Sequence, residues 1–437
     1  MRNFSLVLLL IAVCNGVLNA QDNTRGFYKD LFVDGGISVS SRDYLPTARF
    51  QQWQWESFLC SSKKVNGKSV YTAADTVMQR ELFGGNEQDE NGILLYPDGA
   101  PRFRMIFMNG GGAARHGRSL GEEGRNRIRE FVRAGGSYVG DCAGMFLGSY
   151  AVKSDTTLKY LDAYLGLWPG LTRSTGLHSS QTNMTIEKKA PILKYCDFGG
   201  DHYVDSVYHN GGGYAITDTL WPEGTEILAR YDVRGRDLKL PHDIQGLPAI
   251  WAYKASETTG RVILCGSHPE FVGSGEKFDL MLSMVKYAVE GTAPARLKGE
   301  LTLGEERAMY CRTSDNNPDF TAIGDRQYHH FLLNVPKGTK ELTISLKPKP
   351  GSAKFDLFLL AQPKDYAYLG IAPYKSLKSG IEKKLVIKKP KAGPLYISVF
   401  CNTTVDTRQG ANGTEYSGRV DVLNGVPYSI VAESTGR

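Results

Sequence analysis

A cysteine framed by two glycines is the strongest candidate for chemistry in this chain. Cys142 stands in Gly140-Asp-Cys-Ala-Gly144, after the apolar run Ser137-Tyr-Val and before a helix-like pattern. The glycines leave room for a sharp strand-to-helix turn around a strained nucleophile, as in the serine elbow of hydrolases. At such a turn the thiolate meets free backbone N–H groups that lower its pKa, and the N–H of Ala143 points toward a forming oxyanion. The pattern predicts a nucleophilic thiol.

A nucleophilic thiol needs a base and a group that orients the base. The run Arg261-Val-Ile-Leu-Cys-Gly266 predicts a strand, and Ser267-His-Pro-Glu270 follows it. We expect His268 to take the proton of Cys142. Glu270, held two residues on by a rigid proline, would bond the other ring nitrogen and fix the tautomer.

Two glycine-rich loops could complete the site. Asn109-Gly-Gly-Gly112 follows the apolar run Phe103–Met108, and Gly111 is the candidate for a second oxyanion N–H. His209-Asn-Gly-Gly-Gly213 is compatible with a simple hairpin or with Asn210 facing a substrate. Ligands gather at the carboxyl ends of parallel strands, where we expect these loops to meet.

Structural roles are the alternative for such residues. A cysteine on a strand is usually a small buried apolar group, and we expect this for Cys265. Asp141, if it faces Cys142, would oppose the thiolate and raise its pKa. The remaining histidines of the first part are interpreted as ordinary loop or surface residues: His116, His178, His202 and His242.

The elements around the site alternate between strands and helices from about residue 25 to residue 291. This alternation predicts an α/β domain with a parallel sheet covered on both faces. Besides the strands at 103–108, 137–140 and 261–266, the periodicity predicts helices over 122–134, 145–152 and 278–289.

The pattern of residue types changes after Gly291, where short apolar runs are separated by Pro, Gly, Lys and Asn. Regularly spaced runs of this kind predict an all-β sandwich. The strands are predicted at 331–335, 342–346, 355–360, 384–387, 395–400 and 428–431. We therefore divide the chain into residues 1–20, an α/β domain over 21–292 and a β-sandwich domain over 293–437.

The first 20 residues are typical of a secretory signal peptide. Arg2 gives a positive start, Leu6–Val13 is a short apolar run, and small residues precede Gln21. We expect an exported protein, in the extracellular space or the lumen of the secretory pathway. Three sequons fit a glycosylated protein: Asn183-Met-Thr, Asn402-Thr-Thr and Asn412-Gly-Thr.

Composition excludes several classes of partner. The formal net charge is +6, and the lysines near 347–354 and 383–391 alternate with prolines and apolar residues, which indicates solvated strand edges and no nucleic-acid surface. No later run reaches about 18 apolar residues, so we expect no membrane span. No CxxC or His-rich spacing indicates a metal site, and the chemistry needs no cofactor. Cys311 with Cys401, and more weakly Cys60 with Cys196, are candidate disulfides.

The elbow and the His-Pro-Glu segment resemble the class I glutamine amidotransferase-like superfamily. That resemblance implies a flavodoxin-like three-layer α/β sandwich with a triad of Cys142 as nucleophile, His268 as base and Glu270 as orienter. Most of residues 27–290 is similar to the N-terminal domain associated with biotin–protein ligases. The stretches that carry this similarity are 107–112, 128–140, 142–144, Trp168-Pro-Gly170, 208–213 and Gly266-Ser-His-Pro-Glu-Phe271.

The sequence departs from that family in two ways. Asp141 stands where relatives commonly carry an apolar or aromatic residue. The chain also shows neither a biotin ligase catalytic domain nor a synthase domain to accept ammonia. We therefore expect neither biotin ligation nor amidotransfer, but a thiol hydrolase that acts on a small-molecule or peptide amide.

The C-terminal part resembles pre-peptidase C-terminal β-sandwich domains of secreted hydrolases, on stretches 328–339, 342–345, 355–358 and 425–430. The resemblance implies an accessory module, with cell-surface or matrix contact as a possible role. Two other hypotheses stay open: a non-catalytic binding or surface protein that keeps the fold, and an adhesin whose activity lies in the sandwich. Deletion of residues 295–437 would separate an enzyme, which keeps activity, from an adhesin.

Overall fold

A computed structural model describes residues 26–35, 53–58, 63–65, 68–70, 73–235, 238–272, 274–314, 317–410 and 412–436. The predicted signal peptide and Cys60 lie outside these residues.

The first part of the chain is a mixed sheet with few helices. Its strands are β1 Lys29–Asp34, β2 Trp55–Phe58, β3 Lys63–Val65, β4 Lys68–Val70, β5 Phe103–Met108, β6 Ser137–Asp141, β7 Ser149–Lys153, β8 Leu158–Lys159, β9 Trp168–Ser174, β10 Ser180–Ile186, β11 Tyr203–His209, β12 Gly213–Ala215, β13 Thr225–Asp232, β14 Pro248–Tyr253 and β15 Val262–Cys265. Its helices are α1 Ala73–Gly84, α2 Ala113–Ser119, α3 Gly121–Arg133, α4 Ala143–Gly148 and α5 Glu276–Glu290.

Five strands at the centre of the large sheet run parallel, in the order β2-β1-β5-β6-β15. Antiparallel strands extend this core from β15 through β14, β13, β10 and β11. Because β5, β6 and β15 are parallel neighbours, the loops after Met108, Asp141 and Cys265 emerge at one edge of the sheet. These are the loops that carry the predicted site.

The central strands are apolar on both faces, as strands covered on both sides must be. In β5, Met105 and Phe107 pack in one core with helix α5, whereas Ile106 and Met108 pack in a second core with α3. This alternation is the two-residue period of a strand. The predicted α/β content with parallel strands is confirmed at this coarse level.

The helix predicted over 145–152 is wrong beyond Gly148. The chain leaves α4 at Ser149 and forms β7, which pairs in parallel with β9 in a separate sheet of order β12-β9-β7-β8. The pattern of apolar residues does not separate a short helix followed by a strand from a longer helix, and the pairing partner is far away in sequence.

The second part is all β, as the sequence predicts. Two sheets, of order β16-β18-β23-β20-β21 and β17-β26-β19-β22, face each other across a common apolar core. The strands are β16 Leu297–Glu300, β17 Arg307–Met309, β18 Tyr328–Val335, β19 Glu341–Pro348, β20 Leu357–Pro363, β21 Tyr374–Ser376, β22 Lys383–Lys388, β23 Gly393–Cys401, β24 Asp406–Gly410, β25 Gly413–Ser417 and β26 Tyr428–Thr435. Cys311 and Cys401 are both free thiols, so the disulfide suggested for them does not form in this structure.

The two parts share a sheet and a buried ion pair. The hairpin β24–β25 joins the edge of the large sheet, where Gly413 pairs with Phe58 of β2. Nη2 of Arg102 lies 3.2 Å from Oδ2 of Asp325, and both side chains are almost fully buried. The sandwich therefore contributes directly to the packing of the first part.

Short 3₁₀ segments connect several strands, at Pro191–Lys194, Phe198–Gly200, Pro269–Phe271, Pro318–Phe320 and Val420–Asn424. Among the helices that the structure describes, none is both long enough and apolar enough to cross a membrane.

Candidate functional site

Cys142 occupies a sharp turn between β6 and α4. Its backbone angles are φ 42° and ψ −102°, a conformation that side-chain-bearing residues rarely adopt and that costs about 1–3 kcal/mol. The N–H of Cys142 donates to the carbonyl of Cys265 at 2.9 Å, and its carbonyl accepts from the N–H of Phe146 at 3.2 Å. The ends of β15 and α4 thus hold the strained residue in place. The side chain is 6% exposed.

The two glycines of the elbow serve close packing. A Cβ on Gly140 would come within 2.5 Å of the backbone of Gly144, and a Cβ on Gly144 would overlap the carbonyl oxygen of Met108. Neither glycine has a positive φ. Their role is therefore to let the turn lie against the neighbouring strand β5, which is the space requirement that the sequence pattern predicts.

His268 and Glu270 form a hydrogen-bonded pair beside the elbow. Nδ1 of His268 lies 2.7 Å from Oε1 of Glu270, with both side chains buried. Because Nδ1–H donates to the carboxylate, Nε2 remains for the Cys142 thiol, with which the ring hydrogen-bonds. Burial lowers the pKa of His268, but the bond to Cys142 and the charges of Asp141 and Cys142 together outweigh this effect, and the net pKa is raised. The structure thus brings the three predicted residues together.

The loop Asn109–Gly112 packs on the histidine. A Cβ on Gly110 would lie 2.6 Å from Cε1 of His268, so only glycine fits there. The N–H of Gly110 donates to Oδ1 of Asn109 at 2.7 Å. Gly111 follows with φ 133° in an exposed position, and Ala143 is buried next to Cys142.

Asn210 also borders the elbow, through its backbone. Sγ of Cys142 lies 3.4 Å from the backbone carbonyl oxygen of Asn210. The side-chain Oδ1 of Asn210 accepts the N–H of Ser179 at 3.1 Å. The side chain of Asn210 therefore orders the neighbouring loop, while its backbone carbonyl lies beside the thiol of Cys142.

Asp141 lies beneath the triad. Its side chain is fully buried, and neither carboxyl oxygen has a hydrogen-bond partner among the described residues. One oxygen or nitrogen each of Asp141, His268 and Glu270 lies within 4.8 Å of the others. Burial, and then the charge of Glu270, raise the pKa of Asp141 well above its usual range.

Burial also raises the pKa of Glu270, to about 7. Carboxylate and imidazole groups are donor types that also hold cations. The 2.7 Å hydrogen bond already joins Nδ1 of His268 to Oε1 of Glu270.

A buried hydrogen-bond chain that the sequence did not reveal supports the His268 loop. His209 Nδ1 lies 2.8 Å from Oγ of Ser267, and His209 Nε2 lies 2.7 Å from Oγ1 of Thr175. Burial lowers the pKa of His209 to about 3, so this ring is neutral. The chain ties the Asn210 loop to the residue that precedes His268.

A second buried histidine lies below the Asn109–Gly112 loop. The ring of His116 lies 2.9 Å from Oδ2 of Asp34 at the end of β1, and Gln79 contacts both. His116 is 5% exposed. Its interpretation as a surface or loop residue is therefore wrong, because α2 turns this face into the protein.

Two aromatic side chains, Tyr208 and Phe271, lie beside the triad. The rings of Tyr208 and Phe271 lie 4.5 Å apart, and the Tyr208 ring lies 5.7 Å from that of His268. Phe271 is 43% exposed although it is a large apolar side chain. It stands three residues after His268 in the chain.

The three sequons differ in accessibility. Asn183 is 6% exposed, and its Oδ1 accepts the N–H of Ser206 at 3.0 Å, so the folded chain does not present this amide for a glycan. Asn402 and Asn412 are half-buried. Glycosylation at Asn402 and Asn412 stays a prediction.

Residues 97–290 match the family model described as "Biotin-protein ligase, N terminal". The matched segment contains the elbow, His268 and Glu270. A protein of Schizosaccharomyces pombe (strain 972 / ATCC 24843) named biotin–protein ligase is 26% identical over 186 residues, which cover 39% of this chain and 26% of the relative. An uncharacterized protein of Chlamydia muridarum (strain MoPn / Nigg) is 26% identical over 173 residues, covering 39% of this chain and 61% of that protein.

The chain thus spans less than two thirds of either relative. The predicted similarity to the biotin–protein ligase N-terminal domain is confirmed for residues 97–290. Among solved structures, the pre-peptidase C-terminal domain of a collagenase from Bacillus anthracis aligns at 14% identity and a TM-score of 0.19, covering 32% of this chain and 99% of that domain.

Proposed function

We propose that this protein is a secreted thiol hydrolase of the glutamine amidotransferase-like type, which cleaves an amide or peptide bond. The observation that carries the proposal is the meeting of two loops. Cys142 sits in a strained elbow at the end of β6, and the hydrogen-bonded pair His268–Glu270 follows the adjacent parallel strand β15. Nucleophile, base and orienter in this relation are the parts that acyl transfer requires.

The topology supports the proposal. In chain order, the parallel strands β2-β1-β5-β6-β15 have the order 2-1-3-4-5 of the flavodoxin-like doubly wound fold. In that fold ligands bind outside the carboxyl ends of the strands. The elbow, the Asn109–Gly112 loop and the His268 loop all lie at that edge.

In the acylation step, Sγ of Cys142 forms a bond to the amide carbonyl carbon. Nε2 of His268 takes the thiol proton and delivers it to the amine as the C–N bond breaks. The backbone N–H groups of Ala143 and Gly111 would hold the oxyanion. Gly111 is the better candidate in its loop because the N–H of Gly110 is already bonded to Asn109.

In the deacylation step, water attacks the thioester carbon. His268 accepts a proton from the water and returns it to the sulfur as the C–S bond breaks, which regenerates the thiol and releases a carboxylic acid. Glu270 keeps Nδ1 protonated throughout. Because the pKa of Glu270 is about 7, the ionised fraction of Glu270 increases as the pH rises through that value. The hydrogen bond that Glu270 accepts from His268 strengthens with it.

The surroundings suggest part of the substrate class. The exposed face of Phe271, packed against Tyr208, offers an apolar surface beside the histidine. Such a surface suits an apolar group next to the scissile amide. The similarity to biotin–protein ligase lies in the segment that carries Cys142 and His268, so the proposal concerns thiol chemistry and not ligation.

We also propose roles for the chain termini. The 1–20 segment would direct export, and the sandwich would act as an accessory domain of the pre-peptidase C-terminal type. A non-catalytic binding protein is the second candidate, and Asp141 is the observation that favours it, because a carboxylate there would oppose a thiolate. The raised pKa of Asp141 weakens this objection, since the group is then neutral.

The test is hydrolysis by the full chain of a library of short peptides and simple amides, glutamine included. Release of ammonia and of new amino termini is followed by mass spectrometry. Activity that disappears in Cys142→Ala and in His268→Ala, while Cys265→Ala retains it, supports the proposal. Equal background release by wild type and Cys142→Ala across the library contradicts it and favours the binding protein.

A further inference from the structure

Three polar atoms under the candidate triad lack partners. Both carboxyl oxygens of Asp141, and Oε2 of Glu270, are buried without a hydrogen bond among the described residues. Oε1 of Glu270 is bonded to Nδ1 of His268. Leaving a buried polar atom unpaired costs about 1–3 kcal/mol, and more when it is charged. One proton shared between the two carboxyl groups would satisfy both residues.

Among the residues that the structure describes, the surroundings of Asp141 and Glu270 offer no second positive charge, besides His268, that would keep both carboxyl groups ionised. Besides Glu270, the titratable groups among the described residues that interact with Asp141 are His268 from the loop after β15, Cys265 from β15 and Tyr138 from β6. Of these only His268 can carry a positive charge, and it already pairs with Glu270. Two carboxylates cannot both ionise at this separation in a buried site. One of them must hold a proton.

We propose that Asp141 is a positioning residue that works in its carboxylic acid form. Its O–H donates to Glu270, and this bond holds Glu270 in the orientation that fixes His268. The inference rests on the proposed function, because it assigns Asp141 a task within the same triad. It also explains how an aspartate can precede a nucleophilic cysteine: a neutral acid donates a hydrogen bond and does not repel the thiolate.

Two substitutions separate the hydrogen bond from the bulk of the side chain. Asp141→Asn keeps a donor of nearly the same shape, whereas Asp141→Leu keeps the volume and removes the donor. Asp201→Asn is the matched control, because Asp201 is exposed and its side chain accepts the N–H of Tyr203 in a turn. Thermal unfolding of each variant identifies any that fails to fold.

Two spectroscopic readouts do not depend on catalysis. In difference infrared spectra at about pH 8.5, above the pKa of Glu270 of about 7, the carbonyl stretch of a protonated carboxylic acid should be present in wild type and in Asp201→Asn and absent in Asp141→Asn. The low-field proton NMR signal of His268 Nδ1–H bonded to Glu270 should persist in wild type and Asp141→Asn and be lost in Asp141→Leu. Absence of the infrared band from wild type, or an unchanged NMR signal in folded Asp141→Leu, overturns the inference.

The third readout is alkylation of Cys142 by iodoacetamide. Asp141→Leu should label about tenfold more slowly than wild type at pH 7, because the loss of a hydrogen bond to a charged group is of this size or larger. Asp141→Asn should recover most of the rate. Equal slowing in both variants overturns the inference. If wild type labels slowly and His268→Ala changes nothing, the proposed function fails, and the two spectra still decide the state of Asp141.

Discussion

The ring of His268 packs directly on Gly110, where a Cβ would come within 2.6 Å of Cε1. This contact links the loop after β5 to the loop after β15. The Asn109–Gly112 loop therefore supports the imidazole ring by direct packing, in addition to any role in holding an oxyanion. The position of the base therefore depends on a residue that has no side chain.

Replacement of Gly110 tests this contact. Gly110→Ala should push the imidazole away from Cys142 and slow its alkylation about 10- to 100-fold, since a misplacement of about 1 Å costs factors of that size. Asp201→Asn is the control, because Asp201 is exposed and its side chain accepts the N–H of Tyr203 in a turn. An alkylation rate in Gly110→Ala equal to that of the control would show that His268 does not need this support.

The glycines of the elbow are expected to matter for stability. A Cβ on Gly144 would overlap the carbonyl of Met108, which is fixed in the central sheet. Gly144→Ala should therefore reduce the free energy of unfolding by about 3 kcal/mol, at the upper end of overpacking effects. Urea denaturation measures this. A loss below about 0.5 kcal/mol would mean that the turn has more room than the structure shows.

The buried acid of Asp141 should make stability depend on pH. Above about pH 4 the unfolded chain ionises this group, whereas the folded chain keeps its proton because its pKa is raised. Stability from this group is therefore complete below the unfolded pKa and is lost as the pH rises toward the folded pKa. Asp141→Asn has no such loss, so its advantage over wild type should grow by about 1.4 kcal/mol per pH unit.

Urea denaturation at pH 5 and pH 7 measures this difference, which should be about 2.7 kcal/mol over the two units. Asp201→Asn, with its exposed carboxyl, should follow wild type at both pH values. A constant difference between Asp141→Asn and wild type would show that Asp141 is ionised in the folded protein.

The ion pair between the two parts of the chain should be costly to break. Asp325→Ala leaves the guanidinium of Arg102 buried without its nearest partner, and removal of one partner from a buried pair costs about 3–5 kcal/mol. Asp162→Ala is the control, because its pair with Arg118 is exposed and such pairs contribute less than about 1 kcal/mol. Similar losses of unfolding free energy in both variants would contradict a structural role for the junction.

These contacts between the two parts of the chain also affect how a deletion of the C-terminal part is interpreted. Deletion of residues 295–437 would remove Asp325 together with the strand β25 that pairs with β2. We expect the remaining chain to be destabilised whatever the role of the sandwich. Loss of activity on truncation therefore does not distinguish an enzyme from an adhesin, and point variants are the appropriate tools.

The sequence predicts those parts of the site that depend on near neighbours in the chain. Gly140 and Gly144 act within one turn of Cys142, and Glu270 reaches His268 across a single proline, so both motifs can be recognised locally. The central strands are long apolar runs, which also need no knowledge of their partners.

The sequence does not predict interactions between residues that are distant in the chain. Asp34 with His116 and Arg102 with Asp325 are separated by 82 and 223 residues. Each member alone is an ordinary polar residue, and only the fold brings the pair together. The sequence does not reveal strands β9 to β14 for a related reason, because their pairing follows from the topology more than from local periodicity.

The central claim is that His268 activates the thiol of Cys142, and the most direct measurement is alkylation by iodoacetamide as a function of pH. Labelling of each cysteine is followed by mass spectrometry in wild type and His268→Ala, with half-buried Cys196 as the internal reference. We predict that Cys142 is labelled rapidly at pH values well below the free-thiol pKa of about 8.5. This rapid labelling should be lost in His268→Ala. Slow labelling of Cys142 with an ordinary thiol titration, unchanged by the substitution, would contradict it.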